Sequence, residues 1–426
     1  MFQLSLYFSV CAYIAKVVYK QGKCDMGKGD SAFIRKAISG SLLSMCCLVG
    51  AFSIHASEIT PYVVGGTDVP VGEQNWMATI RVSELNDMPI CGATVINENW
   101  VLTAAHCVVM SSGSAIDAGS YSVLEPSRIS IVAGINDLTQ TNIEHFYSVS
   151  HVIVHPNYTP FSLHDIHYES DGTKVTELVH TALDDDLALL RVNRIFSDIT
   201  PIKLANALSA DEIDARLNEQ WQEHSRPNNI KVSGWGATNS EGTEQSNVLK
   251  ETTLSFLPMY ECYERLENGN DTPFIIDTPF NKTKVCTLPS ELLEVGGSVG
   301  NDSCKGDSGG PLRAQNSNNT WVQHGIVSGS PVGTPVCGSI NRPTFYTRVG
   351  TYFDWIQSYM GTVPNYSIQE PNFIKDSRKQ CLNGVDSISP NNCNLIEHED
   401  NGGTSSWLSL LLLSLVTAFR RHAKYS

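Results

Sequence analysis

The chain has 426 residues, of which 41% are hydrophobic and 17% are charged, so it is long enough to bury a large core. Its formal net charge of −15 makes the surface repel phosphate backbones, which excludes nucleic acid as a partner. The segments rich in Val, Ile, Thr and Tyr are short and are interrupted by Gly, Asn and Pro, a pattern typical of an all-β protein.

The N-terminal segment has the pattern of a secretory signal. A basic pair at 35–36 precedes an apolar run at 42–52, and a small residue ends the motif that a signal peptidase cleaves. We therefore predict that residues 1–56 form a leader with a signal peptide, with translation starting at Met1 or at Met26. A first transmembrane helix is the alternative, and the shortness of the apolar run disfavours it.

Three distant segments each carry one group that acyl transfer requires. The first is His106, which follows an apolar strand predicted at 100–102. The second is a carboxylate in the run Asp184–Asp186, which stands directly before another apolar strand. The third is Ser308, within the glycine-dense turn at 306–311.

These residue types suit the hydrolysis of an acyl bond. A serine hydroxyl is a poor nucleophile until a base takes its proton, and an imidazole does this near neutral pH. A buried carboxylate fixes the tautomer of the imidazole and stabilises the cation that forms. Glycines beside Ser308 allow a tight turn, in which the N–H groups of Gly306 and Ser308 point at the developing oxyanion. Each motif alone has a structural explanation, but their order and their positions at strand-to-loop junctions favour catalysis.

The C-terminal part divides into a polar segment and an apolar tail. Residues 362–401 are rich in Asn, Ser, Pro and acidic side chains, which predicts a linker with one small loop closed by Cys381 and Cys393. Residues 402–426 hold a Gly pair, a short apolar helix and a basic cluster, and they resemble the GlyGly-CTERM sorting tail of Gram-negative bacterial proteins. The resemblance implies a secreted or cell-surface protein with a transient membrane anchor, which an intramembrane sorting protease removes.

A permanent anchor is the alternative interpretation of this tail. A helix of about 15 residues spans only ~22 Å, which is less than the ~30 Å of the hydrocarbon core. The mismatch favours the transient role.

Three further motifs complete the pattern: the start Val63–Gly66, the strand Ser233–Gly236, and the segment Phe345–Val349 that leads into a helix at 352–359. Together with the catalytic segments they resemble the chymotrypsin/trypsin family of serine proteases over residues 63–361. This resemblance implies two six-stranded antiparallel β-barrels, a C-terminal helix and a catalytic cleft between the barrels.

The same resemblance implies a role for each catalytic group in a serine endopeptidase that acts on proteins or peptides as a monomer, with no cofactor and no metal. His106 is the general base, Ser308 is the nucleophile, and the amides of Gly306 and Ser308 bind the oxyanion. Asp186 orients the histidine, because it alone of its run directly precedes Leu-Ala-Leu-Leu. The implied disulfides are Cys91–Cys107, Cys262–Cys286 and Cys304–Cys337, which require an oxidising compartment.

The resemblance further implies that the enzyme is made as a zymogen. Residues 57–62 form a short propeptide, and cleavage after Tyr62 frees the ammonium of Val63 to pair with Asp307, next to Ser308. Because family members are usually cut after a basic residue, Tyr62 implies a separate activating protease.

The primary specificity pocket also follows from the family pattern. Asp302 stands at its floor and implies cleavage after Arg or Lys, a preference that Ser303 also suits. The walls carry Ser328, Ser330 and Thr344, and the last two occupy positions where trypsin-like members usually have glycine. Thr344 narrows the pocket or obstructs the route to Asp302 in one interpretation, which leaves cleavage after small residues as the alternative specificity.

Two segments, 110–124 and 158–183, lengthen the spacing between His106 and Asp186. They are rich in Ser, Asp, His and Gly, so we predict surface insertions near the cleft. An alternative function of another class is a surface binding protein that keeps the fold without catalysis. The presence of all three catalytic side chains disfavours it.

Overall fold

A computed structural model of the protein describes residues 63–82, 89–111, 121–268 and 273–376. The predicted leader, propeptide, C-terminal disulfide loop and sorting tail lie outside these ranges, as does most of the predicted linker. None of the helices within the described ranges has the length and apolar character needed to cross a bilayer.

Short strands make up most of the regular structure in these ranges. In chain order they are β1 (Thr67–Asp68), β2 (Met77–Val82), β3 (Cys91–Val95), β4 (Trp100–Thr103), β5 (Val109–Ser111), β6 (Tyr121–Val123), β7 (Ile129–Ala133), β8 (Phe146–Val154), β9 (Leu163–Tyr168), β10 (Lys174–His180), β11 (Ala188–Val192), β12 (Ile230–Gly234), β13 (Lys250–Leu257), β14 (Lys284–Pro289), β15 (Pro311–Gln315), β16 (Trp321–Gly329), β17 (Thr344–Arg348) and β18 (Ile368–Gln369). The α-helices with both bounds in the described ranges are α1 (Ala207–Gln220), α2 (Met259–Glu267) and α3 (Val349–Ser358), and residues 372–376 are helical as well. Short 3₁₀ turns occur at Ala105–Cys107, Pro126–Arg128, Leu138–Gln140 and Ile143–His145.

The strands form two closed barrels. The first has the order β11-β4-β3-β2-β7-β8 and closes because β8 also pairs with β11. The second has the order β13-β12-β15-β16-β17-β14 and closes through β13 and β14. Every pairing within the barrels is antiparallel, so the prediction of two six-stranded antiparallel barrels is confirmed. One short strand is added to each, β18 parallel to β8 and β1 antiparallel to β13.

Apolar side chains from the strands fill each barrel. Leu102 and Ile131 are fully buried in the first core, as are Val232 and Leu254 in the second. Removal of one such side chain from water stabilises the fold by about 1.5–3 kcal/mol. Strands β4 and β7 are buried over their whole length, which explains why their sequences lack a polar–apolar alternation.

The insertion at 158–183 has more order than an irregular loop. Strands β9 and β10 pair as an antiparallel hairpin, with Tyr168 opposite Lys174 and Asp165 opposite Glu177. Both strands keep some side chains half-buried and others exposed, as expected of a hairpin that covers the protein body with one face. The described part of the other insertion forms the short β5–β6 pair.

Residues 362–376, which begin the predicted linker, pack against the first barrel. The N–H of Val152 donates to the carbonyl of Ser367 at 2.8 Å, and Ile374 is buried. Phe373 contacts Tyr121 edge-on, with 5.7 Å between ring centroids. These apolar side chains explain why this part of the segment folds onto the barrel.

Candidate active site

The register of two neighbouring strands brings His106 and Asp186 together. His106 lies just after β4 and Asp186 just before β11, and these strands pair with Thr103 opposite Ala188. The His106 Nδ1 is 2.8 Å from Asp186 Oδ2, and the backbone N–H of His106 donates to Asp186 Oδ1 at 2.9 Å. The carboxylate therefore holds both the ring and the backbone of the histidine.

Asp186 is fully buried and receives two further hydrogen bonds from the second barrel. The Ser328 hydroxyl donates to Asp186 Oδ2 at 2.6 Å, and the Thr347 hydroxyl donates to its carbonyl oxygen at 2.9 Å. Burial opposes ionisation of Asp186, but the charge and hydrogen bonds of His106 prevail and hold its pKa below the ordinary value. Burial likewise opposes protonation of His106, yet the Asp186 carboxylate raises its pKa above the ordinary value.

The other two carboxylates of the acidic run have partners of their own. The Tyr352 hydroxyl donates to Asp185, and His155 Nδ1 lies 3.5 Å from its other oxygen. Asp184 Oδ1 is 3.6 Å from the ammonium of Lys284, a side chain that is only 2% exposed. Despite burial, the nearby His155 imidazole and the hydrogen bond from Tyr352 lower the pKa of Asp185, whereas burial raises the pKa of Asp184.

The turn that carries Ser308 packs directly against the first barrel. The N–H of Gly92 donates to the carbonyl of Ser308 at 2.7 Å. Gly309 has a φ of +80°, and a Cβ there would lie 2.2 Å from Thr103 Oγ1. The absence of a side chain at Gly309 thus lets the serine turn contact the segment that leads to His106.

The same turn exposes two backbone donors. Gly306 has a φ of +100°, and a Cβ there would lie 2.9 Å from the Cα of Gly236. Among the residues that the structure describes, neither Gly306 nor Ser308 donates its N–H to a backbone carbonyl. Neither amide therefore has a backbone acceptor in these ranges, and their binding of an oxyanion stays a prediction.

Asp307 is fully buried between these amides. Its Oδ1 accepts from the N–H of Gly236 and its Oδ2 from the N–H of Cys304, both at 2.8 Å. Burial raises its pKa to about 7. No ion pair joins Asp307 to another residue of the described ranges. Val63 is also fully buried, in the core of the second barrel.

A cavity of about 380 Å³ opens beside Ser308. Its lining residues are Ser303, Cys304, Lys305, Ser308, Val327, Gly329, Ser330, Pro331, Val332, Gly333, Val336, Cys337 and Thr344. Four of the predicted substrate-contacting or catalytic residues are among them. Ser328 is not, since its hydroxyl is directed to Asp186. Asp302 is not either, and it is only 3% exposed.

Neutral donors surround the carboxylate of Asp302. The Thr344 hydroxyl is 3.1 Å from Oδ1 and 2.9 Å from Oδ2. The N–H groups of Ser303 and Gly338 donate to Oδ1 at 2.9 Å and to Oδ2 at 3.0 Å. Burial raises the pKa of Asp302 to about 6, because these donors only partly replace the lost hydration.

Three disulfides stabilise the surroundings of the site. They join Cys91 to Cys107, Cys262 to Cys286 and Cys304 to Cys337, the pairings that the family pattern implies. In the described part of the chain, the side chains whose spacing best suits a metal ion are Cys91, His106 and Cys107. The disulfide between the two cysteines removes their thiolates as ligands.

The residues of the second barrel and of α3 that support the acidic run were not predicted from the sequence. Lys284 and Thr347 face each other across β14 and β17, and Tyr352 lies on α3. Lys284 did carry a signal, since it is a charged residue within an otherwise apolar strand, Lys-Val-Cys-Thr-Leu-Pro. Its partner could not be deduced, because it lies far away in the sequence.

Comparisons with known proteins match most of the described chain. The profile of the family described as Trypsin matches residues 63–356. Trypsin-1 of Astacus astacus is 30% identical over 298 residues, which cover 70% of this chain and 99% of that protein. The phenoloxidase-activating enzyme of Bombyx mori is 30% identical over 310 residues, covering 70% of this chain and 60% of that protein. Transmembrane protease serine 11C of Mus musculus is 27% identical over 329 residues, 77% of this chain and 59% of that protein.

Proposed function

This chain belongs to the trypsin family and is a serine endopeptidase, and we propose that His106, Asp186 and Ser308 are its catalytic residues. The observation that carries the proposal is the contact of 2.8 Å between the imidazole and a fully buried carboxylate. The packing of the Ser308 turn against the segment before His106 supports it further.

In the proposed reaction the Ser308 hydroxyl attacks the carbonyl carbon of the scissile peptide while His106 Nε2 takes its proton. The N–H groups of Gly306 and Ser308 bind the resulting oxyanion. The C–N bond then breaks, and the protonated imidazole gives its proton to the leaving amine. Water attacks the acyl-enzyme with His106 again as the base, which releases the acid and restores the hydroxyl. Asp186 stays ionised throughout and stabilises the imidazolium.

We infer cleavage after lysine or arginine from the environment of Asp302. This carboxylate is buried next to the cavity, and only uncharged donors contact it. A buried charge is costly unless it is paired, so a cationic substrate side chain stabilises the ionised form of Asp302 on binding.

We also propose that cleavage after Tyr62 by another protease activates the enzyme. The support is the burial of the two residues that would form the ion pair, Val63 and Asp307, both of which are fully buried. From the described residues Asp307 accepts two amide hydrogen bonds, and its raised pKa marks a carboxyl group that a new ammonium would stabilise. The Val63 ammonium would thereby hold the oxyanion turn in place.

Secretion, followed by transient anchoring and release from the membrane, is the proposed route of the protein. The three disulfides support an oxidising destination, and the Gly pair, apolar run and basic cluster at 402–426 support the sorting tail. Intact mass measurement of the protein from its native membrane and medium tests this route. A mature chain that still contains residues 402–426 would contradict the removal of the tail.

Two experiments test the proposed activity. The chain processed to Val63 should react with an organophosphonate that modifies active serines, and Ser308→Ala should abolish the labelling. A correctly folded wild-type chain that stays unlabelled would favour the binding-protein alternative. Cleavage-site profiling with a peptide library should then show Lys and Arg before the cut. Enrichment of Ala or Val there would contradict the role of Asp302 and support small-residue specificity.

A further inference from the structure

We propose that Thr344 makes lysine, rather than arginine, the preferred residue before the cleaved bond. The proposal rests on the proposed function, in which Asp302 receives the basic side chain of the substrate. Thr344 lines the cavity, whereas Asp302 does not. The Thr344 hydroxyl contacts both carboxylate oxygens of Asp302, so Thr344 connects the cavity with this carboxylate.

The acceptor positions of Asp302 are largely occupied by the protein itself. A carboxylate offers about four acceptor positions. The amides of Ser303 and Gly338 occupy one on each oxygen, and the Thr344 hydroxyl lies between the two oxygens at 3.1 and 2.9 Å. Thr344, which lines the cavity, therefore covers both oxygens on its own side of the carboxylate.

The two basic side chains make different demands on such a carboxylate. A guanidinium binds best with two parallel N–H groups, one to each oxygen in a common plane. With Thr344 across both oxygens, that arrangement is blocked. An ammonium is compact and needs no fixed plane, and its three donors can be shared among one carboxylate oxygen, the Thr344 hydroxyl oxygen and water. The pocket thus retains the attraction for a positive charge and loses the geometry that favours arginine.

Thr344 is held in this place by its surroundings. It begins β17, is opposite Thr287 of β14 in the barrel register, and is 4% exposed. Its side chain is β-branched, so only a few rotamers are open to it. Movement of the hydroxyl away from Asp302 would leave a buried carboxylate with one fewer donor, which is unfavourable.

The test compares two peptide substrates that differ only in Lys or Arg before the cut. The enzyme is the chain processed to Val63, with active concentration fixed by organophosphonate titration of Ser308. We expect a higher kcat/KM for the Lys substrate in the wild type, and a shift of the Lys/Arg ratio towards Arg by roughly tenfold in Thr344→Gly. Thr344→Ser keeps the hydroxyl on a smaller side chain and should retain the preference for Lys.

The outcomes separate this proposal from the proposed function. A wild type that cleaves after both residues but prefers Arg would overturn the role of Thr344 and leave Asp302 as the basic-residue site. A Thr344→Gly variant with an unchanged ratio would do the same. If the wild type cleaves after neither Lys nor Arg, the assignment of Asp302 itself fails. Should Thr344→Gly not fold, the wild-type ratio and Thr344→Ser decide the question.

Discussion

The enzyme has two acidic segments beside its cleft, and they are stabilised in different ways. In the segment 184–186 each carboxylate contacts a basic or hydroxyl side chain of this chain, and the pKa values of Asp185 and Asp186 lie below their ordinary range. In the segment 302–307 the hydrogen-bond donors to the two buried carboxylates, Asp302 and Asp307, are all neutral within the described part of the chain, and burial raises the pKa values to about 6 and about 7.

The two segments therefore differ in the origin of the positive groups that stabilise their carboxylates. Side chains elsewhere in the chain already contact the carboxylates of the first segment, so His106 is oriented as soon as the barrels fold. The second segment has negative charges without cations, which on our proposals come from a substrate side chain and from the newly cut N-terminus. Substitutions in the two segments should therefore respond differently to maturation, to substrate charge and to pH.

The largest effect is expected in the first segment. Asp186→Asn removes the charge that holds His106 and should lower kcat by about 10⁴-fold, because the imidazole loses its fixed tautomer and its counter-charge. Steady-state kinetics on the chain processed to Val63 measures this. Asp184→Asn is the matched control, since Asp184 contacts Lys284 rather than His106. A greater loss in the control than in Asp186→Asn would show that the orienting carboxylate is misassigned.

Asp307→Asn should distinguish the two segments most sharply. In the chain processed to Val63 it removes the partner of the proposed ammonium, and kcat/KM should fall roughly 10²–10³-fold. In the unprocessed chain the same change removes a buried charge but replaces one of two oxygens that accept amide N–H groups by a donor, so the free energy of unfolding should fall by about 1–3 kcal/mol, less than in the processed chain. Denaturant unfolding of both forms tests the pair of expectations. Equal destabilisation of both forms would contradict the activation proposal.

Lys284→Met tests whether the first segment depends on its internal cation. Burial lowers the pKa of Lys284 and raises that of Asp184, so the pair is only weakly favourable, but removal of one partner leaves the other without compensation. We expect a loss of about 2 kcal/mol in the free energy of unfolding, less than for a fully buried pair because Asp184 is 25% exposed. Lys282→Met, at a side chain 67% exposed and paired with Asp211, should change stability by less than about 1 kcal/mol.

The smallest expected effect is a pH dependence set by the second segment. Asp302 attracts a cation only when it is ionised, so with a pKa of about 6 its charge is lost as the pH falls through that value. Below it, kcat/KM for a Lys substrate should fall by about tenfold for each pH unit from this group alone. The rate of labelling by an uncharged organophosphonate reports His106 without Asp302. Identical acid limbs for substrate and label would indicate that Asp302 does not bind the substrate charge.

The barrels could be predicted from the sequence, and candidate catalytic groups could be named, because their signals are local. The short strands, the Asp run before Leu-Ala-Leu-Leu and the glycines around Ser308 each occupy one stretch of chain. Helix α1 had such signals too, since Asn206 caps it and Ala210, Ile213 and Leu217 recur on one buried face.

Contacts between distant segments were out of reach. Ser328 donates to Asp186 from 142 residues away, a contact that no local pattern indicates, and its role in binding substrate stays a prediction. The position of Thr344 was correctly flagged as unusual, but its contact with both oxygens of Asp302 depends on the registers of the second barrel. Local patterns identify which groups are present, and tertiary pairing decides which of them face each other.

The absence of a side chain at Gly309 allows close contact between the two barrels, and we call this contact the seam. At this point the turn that carries Ser308 and the strand that leads to His106 lie so close together that a single methyl group on Gly309 would clash with Thr103 and push them apart. Since proton transfer in the proposed reaction crosses that seam, the smallest substitution available at this position would lengthen the path of the proton. The proposed alignment of Ser308 with His106 therefore requires a residue without a Cβ at position 309.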